Sequence, residues 1–180
     1  SEKRISVPEL NMEIPAKKGF SVIATANTRD KGVNEMSAAL KRRFNIVVLP
    51  TPASLETEID IVKTRVEQLS GGMELNASLP ESDVVEKVCT IFRELRNGET
   101  CDKSQKLKTT TGVLSTAEAI SLLCGSMALA GSFGNGKVSD EDLAAGLAGA
   151  VIKEEDKDVT AWKEYLENVM KKRGSKWSGL

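Results

Sequence analysis

An amide, Asn27, and an arginine pair, Arg42 and Arg43, are the side chains near the start of the chain whose types and spacing suit chemistry. An amide both donates and accepts hydrogen bonds, so it can orient a polar ligand. A guanidinium is planar and permanently charged, and it therefore suits anionic oxygens. Whether these groups form a site depends on the elements that position them.

Two apolar runs flank these side chains and predict strands. Residues 20–26, FSVIATA, contain no charge and include β-branched residues, which is typical of a strand buried on both faces in a parallel sheet. The run ends at Asn27, and ligands of open α/β sheets bind beyond the carboxyl ends of the strands. A short helix is predicted over 36–44 and a second strand over 46–49.

The same residues also have a purely structural interpretation. Asparagine often forms turns by mimicking backbone groups, and residues 28–35 are a loop by composition. Lys41, Arg42 and Arg43 lie in the predicted last turn of a helix, where cations compensate the macrodipole by under ~1 kcal/mol each. Residue type and spacing leave both interpretations open.

The order of a strand ending in ATAN, a loop, ALKRRF and a second strand resembles the second half of an AAA+ ATPase module, closest to the MoxR-like branch. The resemblance implies that Asn27 is the sensor-1 residue, which orients the water that attacks the terminal phosphate of ATP. It also implies that Arg43, with Arg42 as the second candidate, is the arginine finger that reaches the neighbouring subunit's nucleotide. Phosphoryl transfer needs a positioned water and neutralised phosphate charge, so both residue types fit these roles.

An alternating hairpin is predicted over residues 5–15, with prolines near its ends. The resemblance implies that this hairpin lines the central pore of a ring. Alternation alone fits a surface hairpin with only structural duties equally well.

Helical periodicity follows a break at Pro50, Thr51 and Pro52. The predicted helices, each with an apolar stripe, cover residues 55–69, 82–95, 119–130, 140–152 and 159–172. Two charged segments, 99–111 and 153–158, are predicted to be solvated.

A predicted capping box opens the third of these helices at Ser115. The resemblance implies that this helix start approaches the nucleotide, with Ser115, Thr116 and Ala117 as the binding residues. Many relatives carry a sensor-2 arginine where this chain has Ala117. Backbone N–H groups of the helix start, or Lys106 and Lys108, are the remaining candidates.

Residues 131–138, GSFGNGKV, nearly match the phosphate-binding pattern GxxxxGK[ST]. Val138 stands where a hydroxyl must bind Mg²⁺, and the segment follows a predicted helix, whereas a phosphate-binding loop leaves a strand. We interpret it as an interhelical turn, with Ser139 capping the next helix. No apolar strand in the sequence ends in the acidic pair that would hold Mg²⁺.

Composition argues against several other classes of protein. A net charge of −1 and 4% aromatic residues do not favour a nucleic-acid surface. The absence of histidine and the dispersed Cys89, Cys101 and Cys124 argue against a zinc site and favour a reducing cytoplasm. No apolar run approaches the ~20 residues of a membrane span.

The chain is predicted to be mostly α. Residues 1–49 would end an α/β nucleotide-binding subdomain, with a short hairpin and parallel strands, and residues 50–180 would form an all-α lid. The sequence thus resembles the carboxyl part of an AAA+ module that begins after the magnesium-binding strand, and we expect it not to hydrolyse ATP alone.

The resemblance implies a homo-oligomeric, hexameric ring that uses ATP and Mg²⁺ in the complete module to remodel a client protein complex. Insertion of a metal or cofactor is one such task. The alternative is a non-catalytic helical interaction or regulatory module that retains the lid architecture. The motor is favoured if the encoded protein continues upstream of Ser1 with a strand, a phosphate-binding loop and a strand that ends in acidic residues. An authentic start at Ser1 would favour the non-catalytic module.

Overall fold

The computed structural model describes residues 3–26, 37–174 and 177. The chain divides into two compact units, residues 1–46 and 47–180. This division lies close to the predicted boundary between residues 49 and 50.

An antiparallel hairpin forms most of the regular structure among the described residues of the first unit. Strand β1 (Arg4–Val7) pairs with β2 (Met12–Pro15), and a 3-10 turn over Pro8–Leu10 joins them. Asn11 adopts the left-handed conformation, with φ of 46°, which asparagine tolerates better than most residues. The predicted hairpin is therefore confirmed.

The two faces of this hairpin differ because side chains alternate along a strand. Ile5 lies opposite Ile14 in the register, and Val7 lies opposite Met12. These four residues share one face, and all but the partly covered Val7 are exposed.

The predicted parallel strands are not present among the residues that the structure describes. Residues 20–26 and 46–49 lie outside regular secondary structure, and Ile23 is 93% exposed. A strand requires a neighbour that completes its backbone hydrogen bonds, and the described sheet contains only β1 and β2. The predicted short helix is present as α1 (Ala38–Lys41), capped by the Ser37 hydroxyl.

The second unit is a helical bundle, as predicted. Its helices are α2 (Leu55–Ser70), α3 (Ser82–Asn97), α4 (Thr116–Phe133), α5 (Asp140–Val151) and α6 (Glu155–Asn168), followed by a 3-10 turn (Met170–Lys172). Two helices differ from the predicted bounds by several residues: α4 extends three residues beyond 119–130 at each end, and α6 begins and ends four residues before the predicted 159–172.

Helix α4 lies at the centre of the bundle and packs against α2, α3 and α5. Its core side chains include Leu123 and Met127, both essentially buried. Among the described helices, α4 alone is long and apolar enough to cross a membrane by length and composition. A helix at the centre of a bundle passes the same test, because it too is apolar on most of its surface.

Candidate functional site

The predicted sensor-1 residue and the predicted arginine finger belong to the first unit. Asn27 lies outside the described residues. Arg42 and Arg43 are exposed directly after α1. The Arg42 Nε donates to the Ala38 carbonyl at 3.4 Å, whereas the Arg43 guanidinium has no hydrogen bond or ion pair to any described residue. The roles of all three residues stay predictions.

The start of α4 is the predicted nucleotide-binding edge of the bundle. The Ser115 hydroxyl accepts from the Glu118 N–H at 3.3 Å, and the Glu118 carboxylate accepts from the Ser115 N–H at 2.7 Å. The predicted capping box is confirmed. Because the side chain and the N–H of Ser115 are both occupied, neither is free for a ligand.

Thr116 and Ala117 complete the predicted set. The Thr116 hydroxyl donates to the Glu58 carboxylate at 3.0 Å, so it points into the bundle. Ala117 is exposed and has no polar side-chain atom. A ligand at this helix start would therefore contact the backbone N–H groups of Thr116 and Ala117, which have no intrahelical acceptor. That contact stays a prediction.

Below this helix start lies a buried ionic cluster that the sequence did not predict. Glu58 of α2 is fully buried. The two guanidinium nitrogens of Arg96 donate to its two carboxylate oxygens, at 3.0 and 2.7 Å. Arg93 adds a contact at 3.4 Å. We call Glu58, Arg93, Arg96 and Thr116 the Glu58 cluster.

The sequence contained one signal for this cluster. Glu58 lies between Leu55 and Val62 on the apolar stripe of α2, where a charge requires a buried partner. The partners come from α3 and α4, and helical periodicity gives no register between helices. Hence the position of Glu58 on the apolar stripe could not identify its partners.

The alternative cations, Lys106 and Lys108, lie elsewhere. The Lys108 ammonium pairs with the Glu164 carboxylate of α6 at 2.6 Å. The loop over 105–108 and α6 line one shallow groove, and no residue of the α4 start lines it. This placement does not favour either lysine as a partner of a ligand at the start of α4.

The segment that resembles a phosphate-binding loop ends α4 and then forms the turn that leads to α5, in agreement with the predicted interhelical turn. The N–H groups of Gly134 and Gly136 both donate to the Ala130 carbonyl at 3.0 Å. The Lys137 N–H donates to the Asn135 side chain at 3.0 Å. Because these three donors are occupied, they are not available to cradle a phosphate.

Mg²⁺ requires several oxygen ligands, usually including carboxylates. The described residues contain no group of three or more histidine, cysteine, aspartate or glutamate side chains that could hold a metal.

Two family models match the chain in consecutive order. An AAA domain (dynein-related subfamily) matches residues 1–44, and a YehL-like AAA+ ATPase C-terminal domain matches residues 56–179. No solved structure is significantly similar to the chain.

A curated relative supports the same assignment. "Uncharacterized protein YehL" of Escherichia coli (strain K12) is 35% identical over 171 residues, which cover 93% of this chain and 46% of the relative. The chain thus spans about half the length of the curated relative that it matches. The second model matches more than half of the chain, so the chain belongs to the YehL-like AAA+ ATPase family, with the C-terminal domain of that family over residues 56–179.

Proposed function

We propose that this chain is the carboxyl-terminal part of a motor that binds and hydrolyses ATP in a ring of like subunits. The observation that carries the proposal is the order of the two family matches, an AAA domain followed by a YehL-like C-terminal domain. ATP and Mg²⁺ would bind in the complete module, and this chain alone would not hydrolyse ATP.

In this proposal, Asn27 orients the attacking water and Arg43 acts as the finger. The exposure of both arginines after α1 supports a role across a subunit interface. The contact between the Arg42 Nε and its own helix favours Arg43 over Arg42, because Arg42 is partly committed to that contact. A guanidinium that reaches the terminal phosphate would neutralise the charge that develops during transfer.

The proposal extends to the assembly in which this chain would work. We propose a hexamer of the MoxR-like branch, working in the cytoplasm as a chaperone that remodels a client protein complex, with metal or cofactor insertion as one task. The exposed apolar face of the β1–β2 hairpin supports contact with a client, because exposed aliphatic clusters mark interaction surfaces.

Replacement of Arg43 by alanine in the full-length protein tests the proposal. We expect ATP turnover to fall by a factor of about 10³ or more. Nucleotide affinity should be largely retained, because the finger acts on the neighbouring subunit's transition state. The Arg42→Ala variant, measured in parallel, should keep most of its turnover. Retained turnover in Arg43→Ala would refute the finger assignment.

One observation favours a second function, a non-catalytic interaction module. At the start of α4, the Ser115 hydroxyl is engaged in the capping box and the Thr116 hydroxyl donates to Glu58. Ala117 stands where the resemblance implies a sensor-2 arginine in many relatives. If the wild-type full-length protein neither binds nor hydrolyses ATP, this second function is the better account.

A further inference from the structure

The carboxylate of Glu58 joins three segments that are distant in sequence. It is fully buried, receives two hydrogen bonds from Arg96 and accepts one from Thr116. Such a bidentate pair fixes direction as well as distance, because both guanidinium nitrogens must face both carboxylate oxygens. Helices α2, α3 and α4 are therefore held together at one end.

The same cluster holds the segment that leads into the bundle. Arg93 donates from Nη1 to the Pro52 carbonyl at 3.2 Å and from Nη2 to the Ala53 carbonyl at 2.7 Å. The Arg93 side chain is only 19% exposed. The chain is thus attached to α3 from Pro52 onwards, and a bend of this segment would lie before Pro52.

The cluster also fixes the residue that precedes α4. The Arg96 Nη1 donates to the Leu114 carbonyl at 2.8 Å. Leu114 is fully buried and has a φ of 46°, a backbone conformation that a leucine rarely adopts. A strained residue persists only where its surroundings hold it, and here Arg96 and the core do so.

We propose that the Glu58 cluster connects the first turn of α4 to the entry segment at Pro52 and Ala53, and that Glu58 and Arg93 are positioning residues for the ATPase reaction. The inference rests on the proposed function, because it assumes that nucleotide meets the first turn of α4. A displacement of that turn then passes through Thr116, Glu58 and Arg93 to the Pro52 and Ala53 carbonyls.

The test compares Glu58→Gln and Arg93→Met with Glu94→Gln in the full-length protein. Glu94 of α3 is a matched control because, like Glu58 of α2, it is fully buried and bonded to an arginine. Its partners include Tyr165 and Arg173, and it does not contact the entry segment. We expect comparable losses of Tm for the two glutamine variants. Only Glu58→Gln and Arg93→Met should lower kcat/KM, by about tenfold or more, since small misplacements of positioning groups have effects of this size.

Amide hydrogen exchange without nucleotide separates this inference from the proposed function. Arg93→Met should accelerate exchange of the Thr57 and Glu58 N–H groups, which donate to Ser54 directly after the anchored carbonyls. Glu58→Gln should also accelerate exchange of the Ser115 and Glu118 N–H groups of the capping box, while Glu94→Gln leaves all four amides protected. Arg93→Lys, which keeps the charge and can reach one carbonyl, should recover part of the protection.

The possible outcomes separate the proposed function from the role of the Glu58 cluster. Absence of ATP turnover in the wild-type protein would refute the proposed function, and with it the positioning role in catalysis. Exchange would then still decide whether the cluster anchors the entry segment. Equal effects of Glu58→Gln and Glu94→Gln on kcat/KM, or unchanged exchange in Arg93→Met, would overturn the inference.

Discussion

Asp158 shows how a single carboxylate can organise two segments of this bundle. It is fully buried and accepts hydrogen bonds from the Thr111 N–H and hydroxyl and from the N–H groups of Lys153 and Glu154, all at 2.7 or 2.8 Å. Burial raises its pKa, but the hydrogen bonds outweigh burial and lower the pKa from 3.8 to about 2. The prediction that 153–158 is a solvated run is therefore wrong at Asp158.

This lowered pKa predicts a pH dependence of stability. Since the folded-state pKa lies below the unfolded-state value of 3.8, the stabilisation is complete above about pH 4 and is lost as pH falls through about 2. The free energy of unfolding of Asp158→Asn at pH 7 should be lower than that of the wild type by roughly 2 kcal/mol.

Urea unfolding between pH 7 and pH 2 measures the difference. The gap between wild type and Asp158→Asn should shrink as pH falls below 4. Asp156→Asn, an exposed change on the same helix, should show no such gap. A gap that persists unchanged at pH 2 would contradict the assignment.

The buried Cys89 thiol has a raised pKa, in contrast to the lowered pKa of Asp158. Cys89 is fully buried, and burial, with a smaller contribution from the negative charge of Glu58, raises its pKa to about 12. Its thiol therefore stays protonated at neutral pH, which fits the role of a small apolar core residue.

At the scale of elements, the turn between α4 and α5 depends on backbone geometry. Gly136 has a φ of 82°, and a Cβ added there would lie 2.8 Å from the Asn76 carbonyl oxygen. The Ser78 N–H donates to the Gly136 carbonyl at 2.8 Å. The turn is thus packed against the connector between α2 and α3. Gly136 permits this close approach because it has no Cβ.

Two glycine-to-alanine changes should have opposite signs. Gly136→Ala should lower the free energy of unfolding by more than about 1 kcal/mol, because its φ and the nearby carbonyl both disfavour a side chain. Gly149→Ala, inside α5 with no heavy atom within 4 Å of its added Cβ, should raise it by up to about 1 kcal/mol. Chemical denaturation followed by circular dichroism measures both changes.

The same pair also tests the rejected phosphate-binding loop. Neither variant should change the ATP affinity of the full-length protein, because the N–H groups of Gly134, Gly136 and Lys137 already have acceptors. Loss of ATP affinity in Gly136→Ala without loss of stability would contradict that interpretation.

At the scale of the whole molecule, Arg173, which follows α6, connects back to α3 of the second unit. Glu94 of α3 is fully buried and accepts from Arg173, from the Tyr165 hydroxyl at 2.7 Å and from the Cys101 N–H at 2.7 Å. The Arg173 guanidinium also lies 4.9 Å from the centre of the Trp177 ring. Arg173 and Trp177, which follow α6, are therefore part of the bundle.

Removal of this cation should destabilise the bundle. Arg173→Met leaves the Glu94 carboxylate buried without an opposite charge, and we expect a loss of ~2 kcal/mol or more in the free energy of unfolding. Lys172→Met, an exposed neighbour, should change it by less than about 0.5 kcal/mol. Thermal and urea unfolding at neutral pH give both values. Equal effects of the two changes would show that the Glu94–Arg173 pair adds no stability.

The sequence alone determined the order of the helices, the capping box at Ser115, the cap at Ser139 and the rejection of the phosphate-binding loop. These features depend on neighbours within a few residues: Ser115 caps its own helix, and Val138 lacks a hydroxyl wherever it lies. Only the tertiary structure decided that Glu58, Glu94 and Asp158 are buried, and which cations and N–H groups meet them. A buried charge is stable only with partners, and those partners come from distant segments whose approach no local periodicity encodes.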